Sequence, residues 1–175
     1  MRIGVAKIPR SLRFVIVFGA CFVVGFALLA TPPLHAADER FSRILVRISG
    51  WLVMLCGGHA SVEDDVLRSA GGFGVAMKDG CNGINVMILL WSAMLAFPAS
   101  WSSRGLGLLA GSLVLQVLNM IRFISLFYLG QYSMSWFDFA HGYLWESMLI
   151  LDTMVLFGLW VGHASKSRRP ANAIP

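Results

Sequence analysis

The chain has 175 residues, of which 57% are hydrophobic and 13% charged, with a formal net charge of +5. A soluble globular domain carries about 45–50% apolar and about 25% charged residues, so this composition excludes that class. Long runs nearly free of charge indicate an all-α polytopic membrane protein. The basic residues mostly flank those runs, as residues that orient membrane helices do, so the positive charge is not a nucleic-acid signal and no nucleic-acid partner is expected.

The first apolar run covers 14–30, with Arg2, Lys7, Arg10 and Arg13 before it and Pro32-Pro33 after it. A cleaved signal peptide is the rival reading, because Ala36-Ala37 follow. Leu34 or His35 would then stand where a small residue is needed, so an uncleaved span is favoured. Residues 31–81 are predicted to be extracytoplasmic. Within them, 41–55 is predicted as a helix lying in the interface, with Phe41, Ile44, Leu45, Ile48, Leu52 and Leu55 at helical spacing and Arg43 and Arg47 on another face. Were 41–55 to span, the basic tail would end outside. The turn signal Ala70-Gly71-Gly72 and the alternation of Phe73, Val75 and Met77 predict a small hairpin leading to Cys81.

Further spans are predicted at 82–98, ending at Pro98, at 105–128, and at 141–163. Between the last two lies an outer loop with the interfacial aromatics Tyr132, Trp136 and Phe137. A cytoplasmic basic tail, 164–175, follows. The whole chain is read as one membrane domain, 1–175, with about four transmembrane helices and both termini cytoplasmic. The inside segments hold Arg2, Lys7, Arg10, Arg13, Arg104, Lys166, Arg168 and Arg169 and no acid, which is the main support for that orientation.

Cys21, Cys56 and Cys81 form no CxxC pair, against a membrane disulfide oxidoreductase. Cys21 lies within an apolar run and reads as a packing residue. A Cys56–Cys81 disulfide is chemically open in an oxidising compartment and would remove Cys81 as a nucleophile. His35, His59 and His163 show no spacing that suggests a metal site, and no metal or other cofactor is predicted.

Cys81, Arg122 and His141 stand out. Cys81 enters the second span at its outer end and His141 enters the fourth. Arg122 lies seventeen residues after Gly105, roughly 25 Å along a helix at about 1.5 Å per residue, in a bilayer core about 30 Å thick. All three therefore fall at one depth. Gln116, Asn119 and Arg122 recur at i, i+3 and i+6 as a polar stripe. Such a stripe is either helix-to-helix glue with a snorkelling arginine, or part of a site, and intramembrane ions are functional by default. Asp152, on the His141 face of the last helix, reads as a bundle hydrogen-bonding group, and Glu146 as the partner of a basic group near the outer edge.

The runs Asp79-Gly80-Cys81-Asn82-Gly83-Ile84, Asn119-Met120-Ile121-Arg122 and His141-Gly142-Tyr143-Leu144-Trp145-Glu146 resemble those of the exosortase/archaeosortase membrane transpeptidases. With Phe127-Tyr128-Leu129-Gly130, they look most like the exosortase H subgroup. Many members carry Ser after the cysteine where this chain has Asn82. The resemblance implies a protein-sorting cysteine protease of the bacterial inner membrane, with Cys81, Arg122 and His141 catalytic and the site extracytoplasmic. It implies as partners, besides membrane lipid, exported proteins with a C-terminal motif of IPTLxxWG type or PEP-CTERM-like, a transmembrane helix and a basic tail. Asn82, Gly83 and Asn119 are predicted to support the substrate or the oxyanion.

Residue chemistry fits that role. A thiol is mostly protonated at neutral pH, a nearby cation favours the thiolate, and an imidazole can take and return its proton. Two other classes compete. A non-catalytic membrane subunit would use the same polar residues for helix or partner contacts. A proton or ion conductor would need polar residues throughout the bundle depth, whereas here they crowd one edge.

Overall fold

A computed structural model describes residues 9–78 and 80–166 of the protein. Arg2, Lys7, Arg168 and Arg169 of the charge asymmetry, and Asp79 of the cysteine run, lie outside the described residues. Helix α1 (Arg10–Leu29) is an uninterrupted apolar helix without one fully buried side chain. Helix α2 (Pro32–Leu55) begins well before the predicted start at residue 41. Pro32 and Pro33 occupy its first two positions, where a missing N–H costs nothing because those donors have no intrahelical partner.

The buried face of α2 also differs from the expected stripe. Asp38, Ser42, Leu45, Val46, Ser49, Gly50 and Val53 are inside, while Ile44, Ile48 and Leu55 are exposed. The small and polar side chains let neighbouring elements approach closely. A Cβ at Gly50 would stand 2.6 Å from Val62 Cγ2.

The predicted hairpin is a three-stranded antiparallel meander, β1 (Ala60–Glu63), β2 (Val66–Ser69) and β3 (Gly74–Ala76). Glu63 pairs with Val66 across the Asp64-Asp65 turn, where Asp64 takes φ 52°. Leu67 and Val75 of the sheet pack with Leu45, Val46 and Val53 of α2 into one core. Phe123 and Phe127, from a later helix, complete that core and tie the meander to the bundle.

Helix α3 (Ile84–Ala96) is apolar but only 13 residues long. Helix α4 (Trp101–Tyr132) starts at Ser100, whose Oγ accepts from the Ser103 N–H, and runs 32 residues. That is about 48 Å, longer than a bilayer core of about 30 Å. The predicted loop after the third span is instead helical. Helix α5 (Met134–Phe139) passes through a π-helical turn (Ala140–Leu144) into α6 (Trp145–Lys166). Among the described residues, α1, α4 and the stretch Met134–Lys166 are long and apolar enough to cross a membrane, and α3 is a shorter apolar helix. The protein is a polytopic, mostly helical membrane protein. At the α4 start, the Trp160 indole N–H donates to the Ser103 carbonyl at 2.9 Å over Gly107, closing the bundle with Phe97 and Phe157.

Candidate active site

Cys81, Arg122 and His141 come together. All three line one cavity of about 260 Å³, walled also by Phe73, Val75, Ala76, Lys78, Phe123 and Phe137. Five parts of the fold contribute: β3, the loop before α3, α4, α5 and the π turn. The three residues converge although 60 positions separate Cys81 from His141 in the chain.

Each side chain has a distinct local cause. Cys81 sits in a tight loop between two glycines in the left-handed region, Gly80 at φ 84° and Gly83 at φ 83°. Only glycine takes that conformation without steric cost, and the Cys81 N–H between them donates to the Lys78 carbonyl at 2.9 Å. Gly83 has a second reason to lack a side chain. A Cβ there would stand 3.0 Å from Gln116 Oε1 and 3.3 Å from Asn119 Cγ. The loop is thereby pressed against the polar stripe of α4. Cys21, Cys56 and Cys81 are all free in the structure, with no bond between Cys56 and Cys81, which leaves Cys81 a thiol.

Arg122 is only 4% exposed, far too buried for an arginine that snorkels to the surface. Its Nη2 donates to Nδ1 of His141 at 3.4 Å. A guanidinium has donors only, so in this contact Nδ1 can serve only as the acceptor. His141 belongs to the π turn, whose wider ring of backbone turns the histidine out of the ordinary α-helical register; such turns recur at functional sites. Phe137 stacks on the imidazole, with centroids 5.6 Å apart and planes at 20°. Phe73 meets Phe137 edge-on at 5.9 Å, so two aromatic rings back the histidine.

The supporting residues behave differently from one another. The Asn82 side chain is fully buried and turned away from the cavity. Its Nδ2 donates to Asp38 Oδ1 at 2.5 Å and to Ser42 Oγ at 3.0 Å, and its Oδ1 accepts from the Ile84 N–H at 3.1 Å. Its carbonyl accepts from Gln116 Nε2 at 3.0 Å. Every polar atom of the Asn82 side-chain amide is therefore engaged within the protein. Asn119 is the opposite case. It is 1% exposed, and neither amide atom has a hydrogen-bond partner among the described residues.

Sequence reasoning missed Asp38, Ser42, Phe73 and Phe137. The i, i+4 spacing of Asp38 and Ser42 was visible, but their partner lies 40 and more residues away. Among the described residues, no cluster of His, Cys, Asp and Glu could hold a metal ion.

A family model described as transmembrane exosortase matches residues 9–161, which includes every residue of this cavity. No curated protein and no solved structure matches the chain.

Proposed function

The chain belongs to the transmembrane exosortase family, and on that premise we propose that it is a cysteine-type membrane transpeptidase or protease. It cleaves the C-terminal sorting signal of exported proteins at the outer face of the bacterial inner membrane. The observation that carries this reading is the single cavity shared by Cys81, Arg122 and His141, with the arginine touching the histidine. The substrate proposed is a tail of IPTLxxWG type or PEP-CTERM-like, followed by a transmembrane helix and a basic tail, as in the exosortase H group that the sequence resembles. Lipid surrounds the enzyme, and both termini are cytoplasmic.

The proton inventory orders the steps. His141 is the base that takes the Cys81 thiol proton, at the Nδ1 lone pair that faces the Arg122 donor in the resting site. Once protonated, Nδ1 becomes a donor and can no longer accept from Arg122. The guanidinium is released as the thiolate forms. The thiolate attacks the scissile carbonyl carbon, and the carbonyl electron pair moves to oxygen. Arg122 stabilises that oxyanion by charge and donated hydrogen bonds; a guanidinium is too weak an acid to be the proton donor. Collapse breaks the C–N bond, His141 returns its proton to the leaving amine, and an acyl-thioester remains on Cys81. Water or an amine then attacks the thioester and restores the thiol. The Asn119 amide, unpartnered beside the loop, is proposed to support the substrate backbone.

The test is processing in cells. A reporter with an IPTLxxWG-type tail is co-expressed with the wild-type chain or with Cys81→Ala at equal membrane abundance. A size shift seen with the wild type and lost with Cys81→Ala is expected. Equal shifts with both would overturn the nucleophile assignment.

A further inference from the structure

The Asp38 carboxylate is buried at 7% exposure in α2, and among the described residues no cation pairs with it. A buried carboxylate is costly unless donors satisfy it. Its donor is the Asn82 amide, on the residue directly after the nucleophile. We propose that Asp38 is the positioning residue of the nucleophile loop: it locks Asn82, and through Asn82 it fixes where Cys81 stands. The inference deepens the cysteine-transpeptidase reading and rests on it for its catalytic consequence.

The chemistry of the network makes the lock directional. A carboxylate can only accept, so it dictates which end of the Asn82 amide faces α2. With Nδ2 committed there, Oδ1 is left facing the Ile84 N–H, one of the donors that a helix start leaves without a partner. Ser42 reinforces the choice. Its hydroxyl gives its proton to the Asp38 carbonyl at 3.1 Å, so its lone pair receives the second Nδ2 proton. Gln116 holds the carbonyl of the same residue from the other side. Asn82 thus fastens α2 and α3 to the loop through its side chain and α4 through its carbonyl, beside Cys81 and between two glycines of positive φ.

Asp38 does not line the Cys81 cavity. It lines a separate apolar cavity of about 550 Å³ between α1, α2 and α3. It therefore acts through Asn82 and makes no contact with the reacting carbonyl. A loop displaced by about 1 Å is enough to lower a rate about 10²-fold.

The test compares wild type, Asp38→Ala and Asp38→Asn in lipid nanodiscs, using hydrogen exchange and peptide-tail cleavage. Asp38→Ala is expected to raise exchange at the Ile84 and Met87 amides by about tenfold or more, with the 103–107 segment unchanged. Its kcat is expected to fall about 10²-fold with KM unchanged. Asp38→Asn keeps one acceptor and is expected to restore most of both. Unchanged exchange at Ile84 in Asp38→Ala overturns the proposal, as does a raised KM at unaltered kcat, or an Asp38→Asn no better than Asp38→Ala. If wild type cleaves nothing, the transpeptidase reading fails, while the exchange result still decides whether Asp38 fastens the loop.

Discussion

The loop 80–83 has two sides built on opposite rules. Toward α2, every polar atom of the Asn82 side chain has a partner and solvent is excluded. Toward α4 and the π turn, a thiol, a guanidinium and an imidazole share a cavity and only one long contact, 3.4 Å, joins two of them. A satisfied buried network rigidifies, because breaking any bond leaves an unpaired polar group at a cost of about 1–3 kcal/mol. Reactive groups must keep lone pairs and donors free for the substrate. The protein separates the two demands across a single residue step, from Cys81 to Asn82.

Substitutions on the two sides should therefore fail differently. The largest effect is expected for Cys81→Ala, with processing lowered more than about 10³-fold and membrane abundance unchanged, since an activated nucleophile has no substitute. His141→Ala is expected to lower the rate about 10²–10⁴-fold in a single-turnover assay, the range of a lost general base. Arg122→Lys keeps the charge but loses the planar fork, and a fall of about 10²-fold is expected, in kcat more than in KM. On the closed side, Asn82→Ala should cost about 1–3 kcal/mol of stability, read as a lowered thermal midpoint in detergent, because it strips the Asp38 carboxylate of its donor. The smallest effect belongs to the opposite end of the bundle. Trp160→Phe removes the 2.9 Å bond to Ser103, with a loss of about 1 kcal/mol and no change in processing rate. A rate loss there matching Arg122→Lys would erase the distinction between ends.

The open side was legible in the sequence and the closed side was not. Charged or titratable residues at the edges of apolar runs stand out, so Cys81, Arg122 and His141 could be placed at one depth from segment lengths alone. Asp38 sits among Glu39, Arg40 and Arg43, where one more charge draws no notice, and its partner is 44 positions away. The α2 start at Pro32 is not marked by apolar spacing, which begins only at Phe41, but by proline, which also opens helices. Phe73, Val75 and Met77 gave away the third strand by alternation. The first two strands are four residues each, too short to show a period, and only the Asp64-Asp65 turn marks their junction. The aromatic run 134–139 looked like an interfacial loop, yet it is the helix that carries Phe137 onto His141.

The most direct test of the account is the covalent intermediate. Purified protein in nanodiscs is mixed with a tail peptide, quenched in acid, digested and weighed by mass spectrometry. The expected product is the N-terminal fragment of the tail attached to the Cys81 peptide through a hydroxylamine-labile thioester, absent from Cys81→Ala. Turnover of the tail with no adduct on Cys81, or with an adduct that survives hydroxylamine, would contradict it.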